Sequence, residues 1–278
     1  MASKVSKWVK FKRFLKRNMT LTWFKHISYQ IFAFIVSVLM VVGVADYAVT
    51  KTYEELELSF VDDFTITAHT GAYNTATNSI EFVQSAINNN AAVIELDIRQ
   101  RPDETVVMSH DLVVTNSDGV PLENALELLD GTDILINLDI KETKVLNNLY
   151  KLLVQYNLVE QSFLTGIETI NVNAVKSSDC ADMDYYLNYI PSRVRVFFDE
   201  YREKIITLLN ETGAIGINCN YKYANSQLSS LLHMNGYELS VWMVDTEHKA
   251  KKMLAIRPDN ITTKKPDMLQ DVIDNWGK

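Results

Sequence analysis

Cysteine, proline and glycine are all scarce in this sequence: its 278 residues include two cysteines, five prolines and nine glycines. Cys180 and Cys219 form no Cys-x-x-Cys pair and no Cys/His ligand spacing, which argues against a structural zinc site. We expect two inert thiols, with one disulfide in an external compartment as the alternative. No linker rich in proline, glycine or serine and no internal repeat interrupts the chain. The part beyond the N-terminus is therefore predicted to be one continuous domain.

Acidic residues are absent from the first 26 positions, which carry eight lysines and arginines, and every charge is absent from residues 27–45. That uncharged run of 19 residues is long enough to cross a bilayer whose apolar core is about 30 Å thick. By the positive-inside rule we predict a cytoplasmic basic tail (1–26), a transmembrane helix (27–48), a linker (49–63) and an extracytoplasmic domain (64–278). The protein would then be a single-pass protein of the cell membrane. A signal peptide cleaved after Gly43-Val44-Ala45 is the alternative, although the basic region is long for one.

The charge of the chain also divides at this segment. The whole sequence has 27 basic and 35 acidic residues, and without the eight basic residues of positions 1–26 the remainder has 19 against 35, about −16. A domain with this charge is not expected to bind nucleic acid as a partner. A local cationic pocket for a single phosphate stays compatible with it.

Residues 64–278 alternate between strand and helix patterns, and their length fits one (β/α)8 barrel of about 200–250 residues. Strands are predicted at 64–69, 92–99, 134–141, 162–165, 184–189, 214–220, 238–244 and 260–263. Helices are predicted at 144–156, 200–211, 227–234 and 246–255. An extra strand at 105–110 precedes a helix at 122–129 as a short hairpin excursion. The predicted fold class is therefore α/β, a TIM barrel preceded by a single N-terminal transmembrane helix.

Polar motifs end four of the apolar runs. They are His69-Thr70-Gly71, Glu95-Leu96-Asp97, His110-Asp111 and Asp139-Ile140-Lys141. Alternate residues of a strand share a face, so Glu95 and Asp97 point one way, and Asp139 and Lys141 share a face of their own strand. Charged groups at buried strand ends are costly unless they pair or bind something. In a parallel barrel such ends carry the chemistry, and this set predicts metal-assisted acid/base chemistry on a phosphodiester.

The order of these motifs resembles that of the glycerophosphodiester phosphodiesterases, which belong to the phosphatidylinositol phospholipase C-like TIM barrels. The tail is similar too. Val241-Trp242-Met243-Val244-Asp245 resembles the family's VWTVN strand, and Ile261-Thr262-Thr263-Lys264-Lys265-Pro266 resembles its IITDYP end. The resemblance runs from about residue 64 to the C-terminus. Single motifs of this kind are weak signals, but HxG, an Asn after a short loop (Asn78), ELD, HD and LDIK are five motifs, and their order and spacing are specific.

The resemblance implies a role for each motif. His69 and His110 would be the general acid and base, since histidine titrates nearest neutral pH, and which does which stays open. Three carboxylates without sulfur favour a hard ion, so Mg²⁺ or Ca²⁺ is the expected cofactor. The metal ligands would be Glu95, Asp97 and Asp139, and the substrate-binding residues Lys141, Trp242 and Lys264. Asn78 is expected to fix the loop near the first helix, and Asp111 to cap a turn.

Five positions depart from the family's pattern. Thr70 replaces the arginine that clamps the phosphate, and threonine cannot supply a planar cation with five donors. Thr77-Asn78-Ser79 occupies the place of the family's Glu-Asn-Thr. Lys264 replaces an aspartate, and the shorter Asp139 replaces a glutamate. Metal binding and acid/base roles are thus expected to persist, while phosphate binding is shared out to Lys141 and Lys264.

The predicted function is metal-dependent hydrolysis of glycerophosphodiesters or related lipid or polyglycerol-phosphate headgroups by a phosphoric diester hydrolase. Its partners would be a small or lipid-derived phosphodiester and the membrane. One alternative is a phospholipase with the same barrel that acts on intact lipids. The other is a membrane-anchored barrel that binds phosphate headgroups without catalysis, which the arginine-to-threonine departure at Thr70 favours.

Overall fold

The computed structural model describes residues 8, 9, 12, 20–54, 58–60 and 64–277. The chain divides into two compact units, Met1–Thr52 and Tyr53–Lys278. Most of the predicted basic tail (1–7, 10, 11 and 13–19) lies outside the described residues, as do 55–57 and 61–63 of the predicted linker.

Among the described residues, one long helix, Leu21–Glu54, makes up most of the first unit and ends two residues beyond Thr52. Thr20 begins it, because its Oγ1 accepts a hydrogen bond from the backbone N–H of Trp23 at 3.2 Å. The stretch Leu21–Ala45 is long and apolar enough to cross a membrane, and a signal sequence would have the same properties. The helix starts six residues before the predicted transmembrane segment and continues through residues 49–54 of the predicted linker. Neither proline nor glycine occurs between 44 and 54 to end it.

In the part of the second unit that the structure describes, there are ten strands in chain order. They are β1 Thr65–Ala68, β2 Val93–Gln100, β3 Val106–Met108, β4 Val120–Pro121, β5 Leu135–Ile140, β6 Ser162–Ile167, β7 Tyr185–Asn188, β8 Gly216–Asn220, β9 Glu238–Trp242 and β10 Asn260–Thr263. Eight of them are parallel neighbours in the order β1-β2-β5-β6-β7-β8-β9-β10, and β1 also pairs with β10. The sheet therefore closes on itself, which confirms the predicted TIM barrel.

Helices connect the parallel strands on the outside. They are Ile80–Asn88, Glu123–Leu129, Leu146–Gln155, Val172–Lys176, Asp199–Thr212, Ser226–Met234, Glu247–Leu254 and Pro266–Asp274. Side-chain caps begin two of these helices: Ser79 accepts from the N–H of Phe82, and Asn225 from that of Leu228. The helices cover apolar side chains that point outward from the barrel, such as Ile94, Leu96 and Ile98 of β2, all fully buried.

The predicted extra strand is present as β3, which runs antiparallel to the end of β2 and pairs with the short β4. Arg101 holds this hairpin together, since its guanidinium donates to the carbonyls of Asp118 at 2.7 Å and Gly119 at 2.8 Å. The hairpin lies at the C-terminal end of β2, so it brings His110 to the end of the barrel where the other polar motifs lie.

Below that end the barrel interior contains polar side chains that form hydrogen bonds with one another. Asn260 accepts a hydrogen bond from Thr67 at 2.7 Å and donates to Ser240 at 2.9 Å, which links β1, β10 and β9. Buried polar groups of this kind cost little free energy once they are paired. This layer lies beneath the polar strand ends.

Candidate active site

A cavity of about 500 Å³ opens at the C-terminal ends of the parallel strands. Its polar lining comes from His69, Glu95, Asp97, His110, Asn137, Asp139, Lys141, Glu168, Asn171, Asn188, Asn218, Trp242 and Thr262. Seven of the eight predicted site residues are in this lining, and Lys264 is not. The topology explains the gathering, because all C-terminal ends of a parallel barrel meet at one face.

The three predicted metal ligands lie together. Each of Glu95, Asp97 and Asp139 places a carboxylate oxygen within 4.8 Å of those of the other two. Asp97 and Asp139 are direct neighbours in the register of β2 and β5. Burial raises the pKa of Glu95 well above its ordinary value, and the charges of Asp139 and Asp97 raise it further. The cluster is therefore a site that favours a positive charge.

Lys141 supplies such a charge from the end of β5. Its Nζ lies 2.8 Å from Asp97 Oδ1 and 2.5 Å from Asp139 Oδ2. Burial alone would lower the pKa of Lys141, but the two carboxylates outweigh it and raise the pKa. Burial likewise opposes ionisation of Asp97, and Lys141 overcomes it, so the pKa of Asp97 is lowered. Lys141 thus forms salt bridges with two of the three candidate metal ligands, while it also lines the cavity.

The donor set fits a hard divalent cation. Oxygens 2.0–2.6 Å from such an ion stand about 3–5 Å apart, and the spacing within the cluster agrees with that range. Lys141 contacts one oxygen of Asp97 and one of Asp139, so the second oxygen of each is not used by the ammonium. Gly166 makes room for the cluster: its φ of +75° suits glycine, and a Cβ there would overlap Asp139 Oδ1. Glu95, Asp97 and Asp139 could therefore hold Mg²⁺ or Ca²⁺.

His69 directly follows β1 and faces this cluster. Its Nδ1 lies 2.8 Å from the carbonyl oxygen of Thr70, which can only accept, so Nδ1 carries the proton. Nε2 then presents a lone pair, 4.0 Å from Glu95 Oε1. Burial lowers the pKa of His69 and the charge of Lys264 adds to this, against the Thr70 hydrogen bond and the nearby aspartates. A neutral imidazole in this tautomer can take up a proton at Nε2.

His110 lies across the cavity mouth on the hairpin and is far more open, with 72% of its side chain exposed. Its Nδ1 is 3.3 Å from Asp111 Oδ1. Arg99 fixes its backbone, because Nε and Nη2 both donate to the His110 carbonyl at 3.1 Å. No sequence motif singles out Arg99, although Arg99 has the same strand parity as Glu95 and Asp97.

Thr70 and Asn78 form a support behind the carboxylates. Thr70 is buried and is not among the cavity-lining residues. Its Oγ1 accepts from the backbone N–H of Asn78 at 2.5 Å. Asn78 donates from Nδ2 to Asp97 Oδ2 at 2.7 Å and accepts from the N–H of Asp97 at 3.1 Å. Asn78 has a φ of +53°, which asparagine tolerates better than most residues, so this position suits asparagine in two ways.

Asparagines line the opposite wall, and the sequence analysis missed them. Asn218 Nδ2 donates to Asn188 Oδ1 at 3.0 Å. Asn218 Oδ1 and Trp242 Nε1 are both buried and have no hydrogen-bond partner among the described residues. Asn218 pairs with Ser240, two residues before Trp242 on the neighbouring strand, so both point inward. One unpaired acceptor and one unpaired donor on the same wall complement a hydroxyl group, which both donates and accepts.

The remaining predicted residues lie outside the cavity lining. Lys264 follows β10 at the surface, where its backbone N–H donates to Asp245 at 2.9 Å. Asp111 has a side chain that is almost entirely exposed. Cys180 and Cys219 are free, buried thiols, and burial raises their pKa to about 11 and about 12. Thiols held so far from ionisation are unreactive, as expected.

No protein-family model and no curated protein matches this chain. The match to solved structures is to glycerophosphodiester phosphodiesterases. The enzyme from Parabacteroides distasonis is 17% identical, with a TM-score of 0.61, over 78% of this chain and 99% of its own. A phosphodiesterase from Oleispira antarctica, solved with the product sn-glycerol-3-phosphate, is 16% identical with a TM-score of 0.59, over 76% and 97%.

The glycerophosphodiester phosphodiesterase of Agrobacterium tumefaciens is 15% identical with a TM-score of 0.59, over 76% of this chain and 100% of its own. At these identities the likeness establishes the fold of the barrel. It also accounts for nearly the full length of each matched protein. About a fifth of the present chain lies outside these matches.

Proposed function

We propose that this chain is a phosphoric diester hydrolase that cleaves glycerophosphodiesters or related lipid or polyglycerol-phosphate headgroups. The observation that carries the proposal is the grouping of His69 with Glu95, Asp97, Asp139 and Lys141 around one cavity at the catalytic end of a TIM barrel. Solved structures that resemble this barrel include glycerophosphodiester phosphodiesterases and a phosphodiesterase that holds the product glycerol 3-phosphate, which supports the proposal.

In the proposed reaction His69 is the base, because its Nε2 is unprotonated and directed into the cavity. It removes a proton from the attacking water as the new P–O bond forms, so that this oxygen remains on the phosphate of the glycerol 3-phosphate product. His110, at the mouth, gives a proton to the departing alkoxide as the old P–O bond breaks. Lys141 neutralises charge on the phosphate. A Mg²⁺ or Ca²⁺ ion held by Glu95, Asp97 and Asp139 would polarise a phosphoryl oxygen.

The polar wall opposite the histidines suits the alcohol part of the substrate. Hydroxyl groups of a glycerol headgroup would accept from Trp242 Nε1 and donate to Asn218 Oδ1, the two buried atoms that lack a partner among the described residues. A purely apolar alcohol would leave both unpaired. This favours a hydroxyl-bearing headgroup over a simple alkyl ester.

Full-length protein purified in detergent tests the proposal. It should release glycerol 3-phosphate from glycerophosphoglycerol or glycerophosphocholine, and the rate should depend on added Mg²⁺ or Ca²⁺. The matched control is His233→Ala, a histidine outside the cavity that pairs with Asp259 at 2.8 Å, which should leave the rate intact. If wild type and His69→Ala release product at the same rate, the assignment is wrong.

The non-catalytic alternative rests on the position of Lys141, whose ammonium already bridges two of the three candidate metal ligands. A barrel of that kind would bind glycerol 3-phosphate with measurable affinity but turn over no diester with either metal. Calorimetric titration beside the rate assay separates the two functions. A phospholipase would instead cleave intact lipid in mixed micelles and would not hydrolyse the deacylated diester.

We also propose that Leu21–Ala45 anchors the protein in the cell membrane with its N-terminus in the cytoplasm. Protease added to intact cells should then degrade the barrel and spare a tag placed at residue 1. A protected barrel with a cleaved tag would show that the protein has the opposite orientation in the membrane. Mass spectrometry of the mature protein decides against the anchor if the chain begins after Ala45.

A further inference from the structure

Exposed apolar side chains are concentrated at one end of the barrel unit. Among its described residues, nine large apolar side chains are more than half exposed, and seven of these lie in connections that follow the C-terminal ends of strands. The seven are Leu112, Val114, Ile170, Ile190, Val194, Phe197 and Phe198. The other two, Val154 and Met234, are near the C-terminal ends of helices, at the opposite end of the barrel. Large exposed apolar patches mark binding surfaces.

The connection after β7 carries four of the seven. Residues 189–198, with the sequence Tyr-Ile-Pro-Ser-Arg-Val-Arg-Val-Phe-Phe, interleave exposed apolar side chains with Arg193 and Arg195 and contain no acidic residue. The next connection, 221–225, adds Lys222 and is also free of acidic residues. This composition stands out because residues 27–278 carry 19 basic against 35 acidic side chains.

The loop is held in one conformation from beneath. Tyr201 Oη accepts from the backbone N–H of Ser192 at 2.9 Å, and the ring of Tyr201 lies under the Arg195 guanidinium at 4.8 Å. Asn225 donates to the carbonyl of Arg193 at 3.0 Å, which ties the two connections together. Val196 is buried. The exposed side chains of this loop are therefore presented outward by a supported backbone.

The strand order places these side chains side by side. β6, β7 and β8 are neighbours, so Ile170, the loop 189–198 and Lys222 line one continuous part of the barrel mouth. Asn188, the residue just before this loop, lines the cavity. We name the set Ile170, Ile190, Arg193, Val194, Arg195, Phe197, Phe198 and Lys222 the interfacial rim.

We propose that the interfacial rim docks on the surface of an anionic lipid bilayer. Apolar side chains at the level of the headgroups, flanked by arginine and lysine, complement a surface that is negative outside and apolar beneath. A two-fold contact between copies of this chain fits less well, because it would face the same basic rim against itself. Docking would bring the cavity mouth to the headgroups, a consequence that rests on the proposed function, whereas the docking itself does not depend on hydrolysis.

Spin labels on the full chain in proteoliposomes test the docking. Labels at Val194→Cys and Phe197→Cys should become more accessible to oxygen than to a water-soluble nickel chelate, and more so when phosphatidylglycerol is added to phosphatidylcholine. Val154→Cys and Met234→Cys are matched controls, since both are exposed apolar positions at the other end, and their accessibility should not change. Wild type should take up no label because both native thiols are buried.

The basic side chains of the interfacial rim can be tested separately from its apolar ones. The double variant Arg193→Ser/Lys222→Ser should lose most of the dependence on phosphatidylglycerol, whereas Lys151→Ser/Lys204→Ser, at exposed positions on two outer helices, should keep it. Labels at 194 and 197 that stay as water-accessible as the controls in both lipids would overturn the proposal. Dipolar broadening between labels that grows with the ratio of protein to lipid would also overturn it, in favour of a second copy. Diester hydrolysis, measured in parallel, reports separately on the proposed function.

Discussion

Thr70 Oγ1 accepts a hydrogen bond from the backbone N–H of Asn78 at 2.5 Å, and Asn78 in turn binds Asp97 through both its amide atoms. The threonine that stands at the position of the family's phosphate-clamping arginine is therefore buried behind the carboxylate cluster. Thr70 instead holds Asn78, and Asn78 orients the candidate metal ligand Asp97. The side chain of residue 70 does not reach the cavity lining, so in the proposed reaction Lys141, which does line the cavity, would meet the charge of the phosphate.

Thr70→Arg should therefore fail to raise kcat/KM. An arginine there would bury an unpaired charge and displace Asn78, so we expect the free energy of unfolding to fall by about 2–4 kcal/mol. Thr70→Ser keeps the hydroxyl and is the matched control, which should stay close to wild type in both measurements. A silent wild type that becomes active as Thr70→Arg would instead identify the chain as a decayed enzyme.

The metal prediction concerns the carboxylate cluster. Glu95→Gln, Asp97→Asn and Asp139→Asn should each weaken binding of Ca²⁺ or Mg²⁺, because each removes an anionic oxygen ligand. Chelation with EDTA should abolish hydrolysis, and either ion should restore it. Isothermal titration of the ion alone provides a readout that does not need activity. Full activity in chelator would rule the metal out.

Lys141→Met should make the protein more dependent on the ion. The substitution removes the ammonium that lies 2.8 Å from Asp97 and 2.5 Å from Asp139, and it leaves the cluster without its positive charge. We expect a lower Tm without metal and a larger rise of Tm on adding Ca²⁺ than in wild type. Lys144→Met removes a lysine that pairs with Glu142 outside the cavity and is the matched control. Equal Ca²⁺ shifts in wild type and both variants would contradict the prediction.

The two histidines should contribute similar rate factors. His69→Ala and His110→Ala should each lower kcat by roughly 10²–10⁴, the usual contribution of a positioned acid or base. The double variant should lose less than the product of the single losses, because both act in one reaction. Steady-state rates on one glycerophosphodiester check this. Wild-type turnover without either histidine would refute the assignment.

The sequence predicted those parts of the molecule that depend on local periodicity. Strand parity placed Glu95 and Asp97 on one interior face, and alternating strands and helices gave the barrel, because both follow from neighbouring residues. The salt bridge of Lys141 to Asp97 joins two strands and depends on their register, which the sequence does not state. Asn218 was overlooked for the same reason, since its unpaired oxygen is meaningful only beside Trp242 on the next strand.

Trp242 and Asn218 provide the sharpest test of what the cavity accepts. Trp242→Phe keeps an aromatic ring but removes the Nε1–H, whose buried donor has no partner among the described residues. For a diester whose alcohol carries hydroxyl groups, KM should rise roughly tenfold, which corresponds to one lost hydrogen bond of about 1.4 kcal/mol. For bis(4-nitrophenyl) phosphate, which has no hydroxyl, KM should hardly change. Asn218→Leu should show the same contrast between substrates, because it removes the acceptor on the same wall. If Trp242→Phe weakens both substrates equally, the ring contributes through packing alone and the wall does not select a hydroxyl.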